Sequence, residues 1–541
     1  MFEKRIVLIS GLIGSGKSEL ARRLAQHTHS ALLKTKDVIL KHYPKTPIER
    51  VSMQRAGDRL DRDTGGEWIS AELANRLLTD DSFSNAPLII VDAVRIKNQI
   101  DHMRRAFAGS FRVIHVHVWA PPEELERRFK ERKRPGDPDT YAEVEKNRTE
   151  RQVGDLRDSA DVAINTHRCR VEDVLVQAVA ALALRPRGVE ACVDVLIGGQ
   201  YGSEGKGHIA SYLAQEYGYL VRVGGPNAGH KVLLEGSHTY HHLPSGTQHN
   251  PNAKLILGPG AQLNVTRLMQ EISECLVTAD RLSIDPQAMI IEQADIEEER
   301  AKKGVVDAIA STGQGVGAAA ARRIKGRDGQ RGVRLARDVP ELHPYIRFTL
   351  GVLEEAYASG QRILLEGTQG TSLSLYHGEY PHVTSRDTTA SGCMAEAGIP
   401  ARRVRRTIIV CRTYPIRVGN TSGSSGMIAQ QLTWDEIAER AGLDAEELNK
   451  SEKGSTTDRP RRVGEFDWEQ LRRAVLLNAP TDIALTFADY LAAKNREARR
   501  YEQLTPETIR FIEDVERVAQ VPVSLINTRF HWRSVIDRRT W

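Results

Sequence analysis

The sequence predicts an α/β protein with two domains: an N-terminal parallel sheet with helices on both faces, followed by a larger α/β domain. A strand pattern, a glycine-rich loop and a helical pattern follow one another twice, first at 5–26 and again from residue 193. Strand, glycine loop and helix in this order build parallel α/β sheets. At 541 residues, the chain is also too long for one ordinary domain.

Composition limits the possible partners. Apolar residues make up 40% of the chain and charged residues 27%, as in ordinary globular proteins. Lysine and arginine number 76 against 71 for aspartate and glutamate, and so small an excess does not indicate nucleic-acid binding. It suits small anionic molecules, such as phosphorylated metabolites, equally well.

The cysteines predict a reducing compartment. Five of them lie far apart, without a Cys-x-x-Cys pair, at 169, 192, 275, 393 and 411. The N-terminal apolar stretch is too short for a signal peptide, and no run approaches the ~18 apolar residues of a membrane span. We therefore expect a cytoplasmic protein without a membrane or nucleic-acid partner.

The first glycine-rich loop, GLIGSGKS at 11–18, has the spacing of a P-loop. It follows the strand pattern Arg5–Ser10 and precedes the amphipathic pattern ELARRLAQ. In this motif the glycines let the backbone wrap phosphates, the lysine reaches the outer phosphates and the hydroxyl binds Mg²⁺. The alternative is a glycine-rich turn that binds nothing. We expect a nucleotide site formed by Gly11, Gly14, Gly16, Lys17 and Ser18.

Two further segments fit a phosphate-handling domain. Leu88–Val91 is a strand pattern that ends at Asp92, where P-loop proteins hold Mg²⁺ through water, although an aspartate that caps a strand is the alternative. After the strand pattern Val113–Val118, a helical segment carries arginines at 127, 128, 132 and 134. A solvated basic helix face is the alternative for these arginines.

The arginine-bearing segment resembles the lid of small nucleotide kinases such as adenylate and dephospho-coenzyme A kinases, and ADVAINT at 160–166 resembles their closing strand. The resemblance implies a nucleoside monophosphate kinase whose acceptor stays open. The residues that lie where such kinases bind the acceptor are Thr35, Asp37, Arg55 and Arg59.

The domain boundary is predicted at 183–190, where proline and glycine separate two patterned regions. This boundary gives a kinase-like domain at 1–183 and a second domain at 190–541.

The second domain opens with two glycine-rich loops, GGQYGSEGKG at 198–207 and GGPNAGH at 224–230, each after a strand pattern. Such loops offer backbone N–H groups and a lysine to phosphate oxygens, although a tight strand-to-helix turn is the alternative for the first loop alone. As a pair they resemble the adenylosuccinate synthetase family. That family's signatures read WGDEGKGK and NAGHT where this chain reads YGSEGKGH and NAGHK.

The resemblance continues nearly to the end of the chain. It is carried, in family order, by HLPSG at 242–246, LGPG at 257–260, STGQGVG at 311–317, EGTQG at 366–370 and YPHVTS at 380–385. Each motif alone is ordinary turn chemistry, but their joint order favours the family.

The resemblance implies site residues by position. Its catalytic set is Ser203, Lys206, His230 and Gln369, of which His230 would donate a hydrogen bond to the purine O6 and γ-phosphate oxygens. Its nucleotide-binding set is Gly202, Glu204, Gly205, Gly207, Asn227, Gly229, Thr312, Gly313, Thr384 and Asp489. Gly229 is the implied Mg²⁺ ligand in this domain, as Ser18 and Asp92 are in the first.

STTDRPRR at 455–462 resembles the family loop TTGRRRR, which binds the carboxylates of aspartate. Arginine grips a carboxylate through two parallel hydrogen bonds, so two arginines on such a loop suit a dicarboxylate. A mobile basic loop is the alternative. The aspartate-binding candidates are Thr457, Arg459 and Arg461.

Two departures from the family pattern bear on specificity. Ser203 stands where the family has an aspartate that takes the purine N1 proton and helps to hold Mg²⁺. The C-terminal Gly-Pro-Gly segment that helps the family to hold guanine is missing, so ATP and GTP both stay open as phosphoryl donors. Together with TGQG, TSRD at 384–387 and PIRVGNTSG at 415–423, Ser203 makes the chain resemble the phage-type 2-aminoadenylosuccinate synthetases.

The resemblance implies a ligase that joins L-aspartate to C6 of a purine monophosphate, with GMP or dGMP favoured. The γ-phosphoryl group of ATP or GTP moves to O6 with Mg²⁺, and the aspartate amine then displaces phosphate. Two alternatives stay open: an adenylosuccinate synthetase that acts on IMP, and a catalytically inactive nucleotide-sensing protein. The family also implies a homodimer through the ligase domain, with Arg322 or Arg323 reaching the partner's nucleotide site.

Overall fold

A computed structural model describes residues 4–132, 137, 139–145, 148–184, 189–233, 236–301, 304–329, 332–421, 423–454 and 459–540. The chain divides into two compact units, Met1–Arg187 and Gly188–Trp541. The expected boundary at 183–190 lies partly outside the described residues. Within these residues no helix combines the length and the apolar character that a membrane crossing requires.

The first unit is built on a parallel sheet. Its strands are β1 (Arg5–Ser10), β2 (Ala31–Lys34), β3 (Leu88–Asp92), β4 (Arg112–Trp119) and β5 (Val162–Asn165). They lie in the order β2-β3-β1-β4-β5. Its helices are α1 (Lys17–Thr28), α2 (Thr35–His42), α3 (Arg50–Thr64), α4 (Trp68–Thr79), α5 (Asp81–Ser84), α6 (Lys97–Ala106), α7 (Pro122–Glu131), α8 (Tyr141–Glu145), α9 (Arg148–Asp155) and α10 (Val171–Ala181).

Alternate residues of β1 pack on opposite faces of this sheet, as the period of a strand requires. Ile6 and Leu8 belong to a core cluster with residues of α3, α4 and α6. Val7 and Ile9 belong to a second cluster with residues of α1 and α10. Helices therefore cover both faces, and the predicted fold class of the first domain is confirmed.

The second unit contains a larger mixed sheet. Its strands are β6 (Val193–Gly198), β7 (Tyr219–Arg222), β8 (His230–Leu233), β9 (Ser237–Tyr240), β10 (Lys254–Leu257), β11 (Gln262–Leu263), β12 (Leu282–Ile284), β13 (Met289–Ile290), β14 (Ile363–Gly370), β15 (Val404–Arg412), β16 (Ile416–Val418), β17 (Gln431–Leu432), β18 (Arg461–Gly464), β19 (Asp482–Thr486), β20 (Val523–Asn527) and β21 (Val535–Asp537). The main sheet has the order β12-β10-β7-β14-β6-β15-β19-β20-β21, and its strands are parallel except for the pair β20–β21.

Helices pack on both faces of this sheet as well. They are α11 (Lys206–Leu213), α12 (Val265–Glu274), α13 (Gln293–Arg300), α14 (Val305–Ile309), α15 (Val316–Lys325), α16 (Thr349–Ala358), α17 (Ala390–Ala397), α18 (Trp434–Ala441), α19 (Ala445–Ser451), α20 (Trp468–Asn478) and α21 (Pro506–Ala519). Leu196 of β6 packs in a cluster with α11 and α12, whereas Val195 and Ile197 pack in a cluster with α16, α17, α20 and α21. The predicted α/β class is thus confirmed for the second domain too.

Candidate functional site

The strands β7, β14 and β6 are neighbours, and the loops that follow them line one cavity of about 170 Å³. In open α/β sheets, the carboxyl ends of parallel strands are the usual place for a ligand. The predicted residues that line this cavity are Gly202, Ser203, Asn227, Gly229, His230, Thr312, Gln369, Thr384 and Arg461. The fold therefore gathers candidates that lie far apart in the sequence.

Other predicted residues lie outside the cavity lining: Glu204, Gly205, Lys206, Gly207, Gly313, Arg459 and Asp489. The Lys206 ammonium donates to Glu204 Oε2 at 2.7 Å and to the Gly202 carbonyl at 3.1 Å. Both charged side chains are only 1% exposed. Lys206 is thus neutralised inside the loop, and these two contacts use two of its three N–H donors.

His230 is held by a carboxylate that the sequence did not single out. Its Nδ1 lies 2.5 Å from Glu366 Oε1. Ser245 donates to both Glu366 oxygens, from Oγ at 2.5 Å and from its backbone N–H at 2.7 Å. Arg222 Nη1 lies 3.6 Å from the same Oε1. Glu366 starts the motif EGTQG, so its position in the motif was visible but its partner was not.

The His230–Glu366 pair is a neutral imidazole beside a carboxylate. Burial lowers the pKa of His230 to about 3, although Glu366 opposes the shift. Burial opposes ionisation of Glu366, but the hydrogen bond with His230 and the charge of Arg222 bring the pKa of Glu366 to about 2. Nδ1–H then donates to the carboxylate and leaves Nε2 as an acceptor. Nε2 can therefore donate to O6, as expected from the sequence, only after it takes up a proton.

Three buried side-chain atoms of the cavity-lining residues have no hydrogen-bond partner among the described residues. They are His230 Nε2, Gln369 Nε2 and Asn227 Oδ1. Gln369 has φ 58°, and its Oε1 accepts from Arg386 Nη1 at 3.2 Å, which fixes the orientation of the amide. Buried polar groups are almost always paired in proteins, so unpaired atoms at a cavity fit a ligand that completes them.

The predicted aspartate loop is described only in part, because Thr457 lies outside the described residues. Arg461 lines the cavity and donates to Glu452 Oε2 at 2.9 Å. Arg412 donates to Glu452 Oε1 at 2.8 Å. Arg459 Nη1 is buried and has no hydrogen-bond partner in the described part of the chain. A guanidinium with a buried, unpaired N–H group fits a carboxylate ligand.

Arg417 is a cavity residue that sequence reasoning missed, although its motif PIRVGNTSG carries part of the family resemblance. Its guanidinium carbon lies 4.3 Å from the centre of the Tyr201 ring, and its Nη atoms donate to the carbonyls of Met427 and His382, each at 3.1 Å. With Arg461 it gives the lining a positive charge, and none of the described lining residues is Asp or Glu. This charge suits a phosphorylated ligand.

Asp489 is 2% exposed and lies beside Arg496, whose Nε donates to Oδ2 at 3.1 Å. Burial raises the pKa of Asp489 to about 6. Its Oδ1 has no hydrogen-bond partner among the described residues.

The first unit has its own cavity, of about 850 Å³, beside the predicted P-loop. The P-loop and strand-end residues that line it are Gly14, Gly16, Lys17, Ser18 and Asp92. Gly11 instead lies against β4, where a Cβ would come 2.3 Å from the Val118 carbonyl oxygen. Ser18 Oγ donates to Asp92 Oδ1 at 3.1 Å. A hydroxyl and a carboxylate oxygen side by side fit Mg²⁺, which prefers oxygen ligands.

The predicted lid arginines do not share one environment. Arg128 lines this cavity and donates to the Gly14 carbonyl at 3.2 Å, and Arg132 also lines it. Arg127 points to solvent and pairs with carboxylates of its own helix, and Arg134 lies outside the described residues. Of the four acceptor candidates, Thr35 lines the cavity, whereas Asp37, Arg55 and Arg59 do not.

The two arginines considered for a partner's site are bound within their own chain. Arg322 donates to both oxygens of Asp295, at 3.0 and 2.7 Å. Arg323 Nη1 donates to the Pro259 carbonyl at 3.2 Å. Arg322 is the more firmly held of the two.

Comparisons with known proteins match both units. The family model described as adenylosuccinate synthetase matches residues 195–341 and 333–496, and one described as AAA domain matches residues 6–161. The adenylosuccinate synthetase of Archaeoglobus fulgidus is 35% identical over 349 residues, which are 64% of this chain and 98% of that protein.

Two solved structures are similar to the second unit. One is the cyanophage S-2L succinoaminodeoxyadenylate synthetase (PurZ) bound to dGMP and to dATP as an energy donor, with 28% identity and a TM-score of 0.53 over 65% of this chain and 96% of that one. The other is the fully ligated adenylosuccinate synthetase of Plasmodium falciparum, with 21% identity and a TM-score of 0.55 over 64% of this chain and 100% of that one, and it shows the fold alone. The chain belongs to the adenylosuccinate synthetase family and carries an additional P-loop kinase-like domain at its N-terminus.

Proposed function

We propose that the second unit joins L-aspartate to C6 of a guanine nucleotide, GMP or dGMP, through a 6-phosphoryl intermediate. The observation that carries this proposal is Ser203, which lines the cavity in a set of described residues without Asp or Glu. A hydroxyl is smaller than a carboxylate, so it leaves room beside the purine for a 2-amino group, and its oxygen accepts a hydrogen bond from that group. The dGMP in the cyanophage relative supports the same choice.

The unpaired atoms around the cavity support a purine ring as the ligand. Gln369 Nε2 is a donor for a ring or carbonyl acceptor, and Asn227 Oδ1 is an acceptor. Thr312 and Thr384 supply hydroxyls to the monophosphate, and the charges of Arg417 and Arg461 attract it.

His230 takes over the proton-accepting role of the missing aspartate. Its Nε2 accepts the N1 proton of the guanine ring once the negative charge of the bound phosphates offsets the burial that lowers the pKa of His230. Glu366 then helps to stabilise the resulting imidazolium. The purine O6 then attacks the γ-phosphorus of the triphosphate, and the nucleoside diphosphate leaves. The imidazolium donates a hydrogen bond to the oxygens where negative charge collects. The aspartate amine then attacks C6 and releases one proton to solvent, and phosphate leaves with the proton of the imidazolium.

Arg459 and Arg461 bind the carboxylates of aspartate, with Thr457 as a further candidate. The unpaired Arg459 Nη1 and the position of Arg461 in the cavity lining support this role. Mg²⁺, when bound near Gly229, neutralises phosphate charge, and Lys206 contributes once it leaves Glu204.

An adenine nucleotide is the proposed phosphoryl donor. Arg496 holds Asp489 Oδ2, which leaves Oδ1 for one N–H donor. The amino edge of adenine offers one amino group, whereas guanine offers a ring N–H and an amino group side by side. The dATP in the cyanophage relative supports adenine.

In the first unit, we propose phosphoryl transfer from a Mg²⁺-bound nucleoside triphosphate. Lys17 and the backbone N–H groups of the P-loop hold the phosphates, and Ser18 and Asp92 hold the ion. This gives the chain a second, kinase activity. We also propose a homodimer through the second unit, with Arg323, the less firmly held of the two arginines, at the partner's site; sedimentation at assay concentration tests it.

Ser203→Asp tests the substrate assignment. The added carboxylate fills the space for the 2-amino group and accepts the N1 proton, so the ratio of kcat/KM for IMP over dGMP should rise by about tenfold or more, the value of one hydrogen bond. Ser203→Ala is the control, because it removes the hydroxyl without adding charge and should not favour IMP. An unchanged preference in Ser203→Asp would show that Ser203 does not select the base.

A further inference from the structure

The cavity of the first unit continues beyond the P-loop. Helices α3, α4 and α6 contribute Asp58, Asp61, Trp68 and Gln99 to its lining. None of these four residues was expected from the sequence to have a function. They line the same cavity as the P-loop residues Lys17 and Ser18.

Asp61 is held in one orientation by two donors on the same oxygen. Trp68 Nε1 donates to Asp61 Oδ1 at 2.7 Å, and Gln99 Nε2 donates to it at 2.8 Å. Gln99 is fixed in turn, because its Oε1 accepts the Arg95 backbone N–H at 2.7 Å. Oδ2 of Asp61 receives no hydrogen bond from the described residues. A carboxylate oriented in this way is prepared for one function, to accept a proton from a ligand in the cavity.

Charges connect Asp61 to the phosphate end of the cavity. Burial raises the pKa of the Asp61 carboxyl, and the charge of Asp58 adds to the shift. Arg95 acts on Asp61 and also on the P-loop Lys17. Asp61 and Lys17 therefore lie within electrostatic reach of the same guanidinium.

We propose that the first unit phosphorylates a hydroxyl group of a small molecule, with Asp61 as the general base; this rests on the phosphoryl transfer proposed above. The acceptor O–H gives its proton to Asp61 Oδ2 while its oxygen bonds to the γ-phosphorus. The bond between that phosphorus and the bridging oxygen breaks, and the nucleoside diphosphate leaves.

A nucleoside monophosphate, the acceptor class that the resemblance to small nucleotide kinases implies, has less use for this carboxylate. Its phosphate oxygens are already ionised near pH 7 and need no base. Asp58 and Asp61 line the cavity together with Arg50 and Arg95, so charge alone does not select between a phosphate and a neutral acceptor. A hydroxyl, which must lose a proton to react, gains from a base in this position.

ATP turnover by the full chain tests the proposal whatever the natural acceptor is, because water is the smallest hydroxyl acceptor. The assay omits aspartate and purine monophosphates, so that the ligase cannot turn over. Asp61→Asn keeps an oxygen for Trp68 and Gln99, and circular dichroism and Tm should confirm that it folds. We expect kcat to fall by about 10²- to 10⁴-fold, the usual contribution of a general base. KM for ATP should change little.

The pH profile separates a base from a structural residue. The native rate should fall as pH drops through the pKa of Asp61, because the carboxylate becomes protonated, and Asp61→Asn should lose this acidic limb. Asp63→Asn is the matched control, since Asp63 lies on the same helix, is 58% exposed and does not line the cavity. Its rate and profile should equal those of the native protein.

Lys17→Ala distinguishes the two proposals. If Lys17→Ala turns over ATP as fast as the native protein, or if the native protein does not turn over ATP, phosphoryl transfer by this unit is refuted. If Lys17→Ala abolishes turnover while Asp61→Asn keeps the native rate and profile, only the role of Asp61 is refuted. With γ-labelled ATP, transfer to deoxyguanosine, glucose or glycerol supports the hydroxyl acceptor, and transfer to dGMP or AMP alone overturns it.

Discussion

At the scale of single residues, the partner of His230 decides what that histidine can do. A carboxylate at Nδ1 fixes the tautomer and aims the lone pair of Nε2 away from itself. Glu366 fills this position, and Ser245 and Arg222 hold Glu366 in place. In the proposed mechanism, this lone pair accepts the proton that the family's aspartate would take.

Glu366→Gln should lower the kcat of the ligase by at least about tenfold, because the imidazolium loses its stabilising charge. The buried Arg222 loses its counter-charge as well, so the free energy of unfolding should fall by about 3–5 kcal/mol. Steady-state kinetics and calorimetry measure the two effects.

Asp194→Asn is the control for Glu366→Gln. Asp194 is fully buried and accepts hydrogen bonds from Arg405 Nε and, at 2.5 Å, from Tyr217 Oη. It does not line the cavity. It should lower Tm and leave kcat close to native. Equal kcat values for Glu366→Gln and the native protein would mean that His230 works without this carboxylate.

The positions of the motifs predicted many of the residues that meet in the cavity, because the loops after neighbouring parallel strands lie at the same edge of the sheet. They did not predict which side chains form pairs. Lys206 with Glu204, and His230 with Glu366 across 136 positions, depend on side-chain directions that no local pattern records. Arg417 was not predicted as a cavity residue for the same reason, since its contacts come from separate loops.

At the scale of elements, the loop after β6 depends on a close backbone approach. Gly202 has φ 102°, and a Cβ there would come 2.8 Å from Gln369 Cα near the end of β14. Only glycine fits both the dihedral and the space. The loop that carries Ser203 is therefore positioned against the end of β14 by this contact.

Gly202→Ala should destabilise the second unit and raise KM for the purine nucleotide, because the added methyl group pushes the loop after β6 away from the end of β14. The left-handed dihedral alone costs about 1–2 kcal/mol, and the clash adds to that figure. Calorimetry and ligase kinetics measure the two effects.

Gly360→Ala separates strain from clash. Gly360 has φ 65°, but a Cβ there meets nothing within 4 Å. Gly360→Ala should lower the free energy of unfolding only by the cost of the left-handed dihedral, and it should leave KM unchanged. If Gly202→Ala behaves like Gly360→Ala, the close approach has no role in the site.

Strand patterns predicted elements well where the strands are buried on both faces. The expected strands at 5–10, 88–91 and 113–118 appear as Arg5–Ser10, Leu88–Asp92 and Arg112–Trp119. The short sheet β16-β18-β17 was not foreseen, because its three strands have two to four residues and pair across distant loops. Such pairing depends on tertiary contacts more than on local sequence.

At the scale of the whole molecule, each unit has hydrophobic core clusters of its own, on both faces of its own sheet. Length, and the change of pattern between the two phosphate loops, predicted this division. Of the residues predicted to bind the acceptor in the first unit, only Thr35 lines the cavity, whereas Arg55 and Arg59 lie on α3 outside the lining. The lining residues from α3, α4 and α6 were missed because they carry no motif and meet only through folding.

The second unit is proposed to act on a guanine nucleotide. The most direct test of this proposal supplies the purified protein with L-aspartate, Mg²⁺ and either ATP or GTP, together with dGMP, GMP or IMP, and identifies succinylated products by mass spectrometry. We predict product from dGMP or GMP, faster with ATP than with GTP, and little from IMP. Efficient use of IMP, with both guanine nucleotides left unchanged, would contradict the account, as would the absence of product from all three nucleotides.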